Sequence, residues 1–409
     1  MPFPLARDLP ASARRNVLYD AANGLGNGLF TALVINFVPV IARRNGADAL
    51  LLAALAAAPF AANVVGLLGV AWLPTTGRAR YLALVQALGR GVFLFALLGD
   101  WPIVLLVMLF GYYLSYALTM PLLLDALRDM YPDRWRGRLM GYVRIIQNCS
   151  AALAAPLAGW LMDVAGQRAL LVLGALFGVL GAAAFRKVTF SGDSSAVRTS
   201  PWAALGSFVR DPLYRGIALA WVVWGFGGFM ALPLYPLVMV DRLGVSYAQV
   251  GLISLALAVG GLASYWVVGM YVDRGGGRWA LLIGFALAAP TPLVYQLAPS
   301  VEWLALAGLL NGLGFGAMEL GWASLLLRLA PGAERARIPA VLNFFTGIRG
   351  IIAPFVGVAL ASWPLLGVSG TLWISALVGF AGVALLAHAA RGIPIRIQRL
   401  RATTVPVTS

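Results

Sequence analysis

The sequence predicts an all-α protein that crosses a membrane twelve times, built as two repeated sets of six helices. Three observations predict it. Apolar runs of about 20 residues recur from end to end, the length a helix needs to cross a bilayer. The basic residues sort by loop, and marks in the first half return in the second. Composition agrees: 61% of the 409 residues are hydrophobic, only 11% are charged, and the mean hydropathy is +0.86. Soluble domains carry roughly 25% charged residues, so a water-soluble globular chain is excluded.

Charged residues and Pro/Gly breaks divide the apolar runs into segments at 16–41, 47–73, 80–99, 102–127, 138–163, 168–187, 214–240, 247–272, 278–297, 302–328, 337–362 and 368–390. Arg7, Arg14 and Arg15 precede the first run. That run is too long for a signal-peptide core and shows no cleavage site, so it reads as an uncleaved first span. The longest hydrophilic connection joins the two sets of six. The expected organisation is therefore an N-terminal half 1–187, a linker 188–213, a C-terminal half 214–390 and a tail 391–409.

With the N-terminus inside, 23 of the 30 basic residues fall on the cytoplasmic side. Arg43, Arg44, Arg168 and Arg242 fall outside, and Arg90, Arg144 and Arg349 lie within spans. Cytoplasmic loops carry the Lys/Arg excess, so the sequence predicts a multi-pass protein of the cell (inner) membrane with both termini cytoplasmic. The same topology explains the net charge of +15 without a nucleic-acid partner, since no basic block or stacking motif accompanies it.

The halves echo one another. "GVAWLPTTGR" begins at Gly69 and "GMYVDRGGGR" at Gly269; Pro132, Arg136 and Arg138 return as Pro331, Arg335 and Arg337; "APLAG" at 155–159 returns as "APFVG" at 353–357. Three ordered matches at nearly one offset point to duplication, an arrangement suited to rocking about a central site. With these residues in view, the chain resembles the major facilitator superfamily of transporters. Gly269, Asp273, Arg274, Gly277 and Arg278 resemble that family's loop signature, with one extra residue before the closing Gly-Arg. The first-half copy departs by placing Leu73 where the Asp would stand. The resemblance implies that the second-half loop gates conformational exchange. A solvated turn that merely obeys topology is the alternative.

The resemblance also implies that spans one, four, seven and ten line the substrate cavity. Asn23, Asn27, Tyr112, Tyr116, Trp221, Trp224, Phe229 and Asn311 are then the cavity candidates. Such walls suit amphipathic organic solutes. Tyr235, near a span end, reads instead as an interfacial residue. "APLAG" reads as helix packing with a proline kink.

Charges within spans are the candidates for coupling. Glu319 lies inside the tenth span, where a carboxylate costs roughly 2.5–3.5 kcal/mol even on the lenient insertion scales. Gly308, Gly312, Gly316 and Ala323 share its face, leaving room for a helix or for water and solute. Arg349, at a similar depth on the next span, is the expected partner, in a permanent pair or in one that opens to a proton or solute. A second cluster of Asp20, Arg144 and Asp125 is expected near the inner ends of spans one, five and four. It reads as a structural group or a coupling site. Arg90 lies deeper, with no partner readable.

His388 and Cys149 are the only histidine and cysteine, and no Walker-type phosphate loop appears. Catalysis, a metal site, a cofactor and direct ATP drive are therefore not expected. The sequence predicts a monomeric secondary transporter of a small organic solute in the lipid bilayer. Proton coupling is expected, as is efflux of lipophilic or amphipathic compounds. Organic-anion uptake or exchange, and a non-transporting sensor of the same fold, are the alternatives.

Overall fold

In the computed structural model, which describes residues 9–69, 74, 76–190, 212–272, 276–329 and 334–393, twelve helices are long and apolar enough to cross a membrane. They are α1 (Ala11–Arg44), α2 (Ala49–Gly69), α3 (Arg78–Leu97), α4 (Pro102–Met130), α5 (Asp133–Ala165), α6 (Gln167–Phe185), α7 (Pro212–Arg242), α8 (Tyr247–Tyr271), α9 (Gly277–Leu297), α10 (Val301–Leu329), α11 (Glu334–Ala361) and α12 (Gly367–Ala390). No strand occurs among the described residues. The predicted spans are all present, and α1 and α5 start five residues earlier than expected. In α5 the extended Pro132 sets the start and Asp133 occupies the first turn, where a carboxylate meets the positive end of the helix dipole. Most of the predicted linker lies outside the described residues.

The chain divides into two units. Unit 1 comprises Met1–Val197 with Gly244–Leu255, and unit 2 comprises Arg198–Leu243 with Ala256–Ser409. In unit 1, α1 packs on α6 and α5, α2 on α4, and α3 on α6 and α4. In unit 2, α7 packs on α12 and α11, and α9 on α10 and α12. The packing order therefore repeats with the sequence. Glycine makes the closest of these contacts possible in both copies. A Cβ at Gly26 would lie 2.8 Å from Gly181 Cα, and one at Gly227 would lie 2.8 Å from Gly379 N. The glycines of the two Ala-Pro-x-x-Gly runs serve the same purpose. A Cβ at Gly159 would stand 2.1 Å from the Tyr247 carbonyl oxygen, and one at Gly357 would stand 2.1 Å from that of Met230. The expected packing role of these runs is what the backbone shows.

The turns repeat as well. α1 ends in "RRNGA" and α7 in "DRLGV", and Gly46 and Gly244 take φ of +93° and +58°, where a side chain would be strained. Each of these helices also carries a wider π-helical turn, at Thr31–Ile35 and Val238–Arg242. After Gly244 the chain enters α8 through a capping box. The Ser246 N–H donates to Gln249 Oε1 (2.8 Å), and the Gln249 N–H donates to Ser246 Oγ (3.2 Å).

At the end of unit 1 away from the N-terminus, a polar network ties the turns together. Asn45 Nδ2 donates to the Asp100 carbonyl (2.7 Å), and Gln167 Nε2 donates to Asn45 Oδ1 (2.9 Å) and to the Asp100 carboxylate. Arg168 Nε closes the group on Asp100 Oδ1 at 2.9 Å. Asp163 accepts from the N–H groups of Tyr247 (3.0 Å) and Ala248 (2.8 Å), seating the first turn of α8. The Arg44 guanidinium lies 3.9 Å from the centre of the Tyr247 ring.

Candidate functional site

Unit 1 contains a cavity of about 160 Å³ between α1, α3, α4 and α5. Of the predicted cavity residues, Asn23, Asn27, Tyr112 and Tyr116 line it, together with Asp20 and Arg144. Its deep wall is Arg90. Arg90 Nη1 donates to Asn23 Oδ1 (2.8 Å) and the Gly178 carbonyl (2.9 Å), and Nη2 donates to Gln86 Oε1 (3.1 Å). Among the described residues, a buried guanidinium is thus held by neutral acceptors alone. Gly178 is glycine for this reason, since a Cβ there would lie 2.8 Å from Arg90 Cδ. Gln86, Ser115, Thr119 and Gln147 complete the polar lining and were not singled out in the sequence. One signal was available, the four-residue spacing that puts Gln86 and Arg90 on one face of an apolar helix.

Asp20 departs from its expected setting. The carboxylate accepts a 2.7 Å hydrogen bond from Tyr131 Oη and makes no ion pair within 4 Å of Arg144 among the described residues. Arg144 lies along the cavity wall, exposed, and acts on Asp20 as a more distant charge. The side chain of Asp125 lies outside the described residues. Tyr131 follows α4 in the link to α5, and burial, then the Asp20 charge, raise its phenol above the ordinary range, so it stays a donor. Helical depth placed Asp20 and Arg144 at one level, but depth does not determine which way each helix is turned.

The same limit leaves the predicted Glu319–Arg349 pair unformed among the described residues. Glu319 is exposed on α10 and accepts a hydrogen bond from the Tyr265 hydroxyl of α8. The glycine stripe explains the approach, since a Cβ at Gly312 would lie 1.9 Å from the Leu257 carbonyl oxygen and one at Gly316 2.7 Å from Ser264 Cβ. Room for a helix, not for water, is what those glycines provide. Arg349 faces the other way, onto α7, because α11 packs mainly on α7 and little on its hairpin neighbour α10. There it is 4% exposed, with Cζ 5.2 Å from the Trp221 ring centre and 5.1 Å from that of Phe229. Its Nε and Nη1 have no hydrogen-bond partner among the described residues. An uncompensated buried charge costs several kcal/mol. A desolvated cation over an aromatic ring recovers about 2 kcal/mol.

Unit 2 also has a cavity, of about 90 Å³, lined by the candidates Trp224, Phe229 and Asn311 and by Phe315. Trp221 stands beside it in a ring cluster with Trp224, Phe285 and Trp322. Tyr235, expected at the interface, also lines this cavity and stacks on Tyr295 with ring centres 4.0 Å apart. It stands five residues from the expected end of its span, but the ring is turned inward onto Tyr295, a direction that position along the helix does not fix. Of the predicted gating loop, Gly269 and Gly277 lie on α8 and α9, and the Arg278 guanidinium sits 5.1 Å from the Trp279 ring centre. Asp273 and Arg274 lie outside the described residues. Among the described residues no cluster of metal-ligating side chains occurs.

Twelve spans, a repeated packing order and a polar cavity inside a helical unit define a polytopic membrane transporter. The chain belongs to the Major Facilitator Superfamily, whose sequence model matches residues 21–237 and 217–403. An arabinose-proton symporter of Bacillus subtilis (strain 168) is 29% identical over 115 residues, 28% of this chain and 25% of the symporter. The match thus spans a quarter of that relative's length. Among solved structures, the nucleoside transporter NupG aligns with a TM-score of 0.65 at 13% identity, covering 91% of this chain and 98% of that one. A bacterial homolog of the human lysosomal transporter Spinster, in an inward-facing and occupied conformation, aligns at 0.63 and 14%, covering 93% and 96%. At these identities the likeness is one of fold. The family and these relatives are transporters, not enzymes.

Proposed function

We propose that the protein is a secondary active transporter that couples proton movement to uptake of a small polar organic solute by alternating access. It works as a monomer in the cell (inner) membrane, with both termini cytoplasmic as the distribution of basic residues favours. The observation that carries this reading is the lining of the unit 1 cavity, where Asn, Gln, Ser, Thr and Arg side chains converge within apolar helices. Arg90 already occupies Asn23 Oδ1 and Gln86 Oε1, and a lipophilic solute filling that space would strand the lining groups not so paired, at about 1–3 kcal/mol for each. A hydroxylated or amide-bearing solute would satisfy them. The lining therefore gives no support to efflux of lipophilic compounds. Asp20 supplies the proton site in this reading, as a carboxyl on the cavity wall whose one close partner is a neutral phenol. The partial likeness to a sugar-proton symporter points the same way.

Proteoliposomes holding the purified protein, with the outside made acidic, test this. A labelled pentose, a nucleoside, an aromatic carboxylate and a lipophilic cation are offered in turn. A polar solute should accumulate above equilibrium with the gradient and only equilibrate without it. Export of the lipophilic cation with no movement of the polar solutes would contradict the proposal.

A further inference from the structure

Arg90 and Arg349 show what a buried arginine looks like with and without its acceptors. Arg90 directs its Nη atoms at two side-chain amides and a carbonyl. Arg349 is as deeply buried, yet Nε and Nη1 meet no acceptor among the described residues. No carboxylate of the described residues lies within ion-pair distance of it. What surrounds it is a cradle on one face of α7. Trp221, Gly225 and Phe229 recur every four residues, so all three face α11. Gly225 is where the guanidinium plane rests, since a Cβ there would lie 2.1 Å from Arg349 Cζ and 2.2 Å from Nη1. Trp221 is held in place by a 2.9 Å hydrogen bond from its Nε1 to Thr346 Oγ1 on the same helix as Arg349.

Aromatic rings attract the face of a guanidinium and leave its in-plane N–H edge unused. That edge matches two oxygens of a carboxylate or phosphate. Gly225 and Phe229, which touch the guanidinium, also line the unit 2 cavity together with Trp224, Phe315 and Asn311. Arg349 lies twelve residues from Ala361, the nearer end of its helix, about 18 Å at ~1.5 Å per residue, which is too deep for a lipid headgroup. We propose that Arg349 is the recognition site for the anionic group of the transported solute, a ring-bearing carboxylate or phosphate ester. This rests on the transport reading above and narrows its solute class.

The test is binding, so that it does not depend on coupling. Thermal unfolding of the detergent-purified full chain is followed with benzoate, phenyl phosphate or benzamide, the last a neutral analogue of benzoate. The two anions should raise the melting temperature and benzamide should not. Arg349→Gln should abolish the difference. Arg349→Lys keeps a charge without the planar edge, and Gly225→Ala displaces the guanidinium; each should weaken benzoate at least ~10-fold. Should Arg349→Gln fail to fold, these two variants decide the matter. The inference is overturned if the wild type binds benzamide as well as benzoate, or if the variants bind benzoate like the wild type. Loss of proton-driven uptake with anion preference intact would remove the coupling reading alone.

Discussion

Arg90 shows how much a single buried residue can organise. It joins α3 to Asn23 of α1 and to the Gly178 carbonyl of α6, and it forms the deep wall of the unit 1 cavity. Replacing it with methionine keeps much of the volume and leaves Asn23, Gln86 and the Gly178 carbonyl without their donor. At about 1–3 kcal/mol per unsatisfied buried group, Arg90→Met should lower the unfolding temperature measurably in detergent. If it unfolds at the wild-type temperature, the network does not hold those helices. The sequence showed an intramembrane arginine here and its spacing from Gln86, but not Asn23 or Gly178, which reach it only through helix packing. Glu319 teaches the same lesson from the opposite side. Its depth was readable, while its direction toward Tyr265 depended on the rotation of α10 against α8.

At the scale of elements, a helix cap is a local signal, although the expected span limits came from apolar runs and breaks alone. Ser246 and Gln249 are spaced as a capping box, and that box forms. The network around Asp100 was not legible, because Asn45, Asp100, Gln167 and Arg168 come from three separate turns. Burial opposes the Asp100 charge, but hydrogen bonds from Gln167, Arg168 and Asn45 and the Arg168 charge outweigh it and hold the carboxyl below its ordinary value. A depressed carboxyl stabilises the fold fully above the unfolded-state pKa, about 3.9. That contribution is lost as pH falls through this value toward the lower folded one. The melting temperature of the wild type should therefore fall below pH ~4, and Asp100→Asn should show a smaller fall over the same range. Equal falls in both would show that this carboxyl does not govern the junction.

For the whole molecule, the sequence carried the architecture because a bilayer leaves few solutions. Apolar length alone counts the spans, and repeated motifs divide them into two sixes. The repeat runs deeper than the motifs, since Gly26–Gly181 and Gly227–Gly379 form matching contacts in the two units. Chemistry diverges on this shared frame. Unit 1 presents hydrogen-bonding groups around Asp20, while unit 2 presents rings around Arg349. That contrast explains why aromatic residues read from the sequence suggested a lipophilic cargo. The amides and hydroxyls of the unit 1 cavity become a group only when α1, α3, α4 and α5 are packed. The central claim is that solute and proton move together through Asp20, and proton flux measures it most directly. Proteoliposomes loaded with a pH-sensitive dye receive, with no imposed gradient, the solute that accumulates in the uptake assay. Solute entry should acidify the lumen in the wild type. Asp20→Asn should exchange solute for solute at a comparable rate with no acidification. Acidification by Asp20→Asn equal to the wild type, or solute entry without any proton in the wild type, would contradict the account.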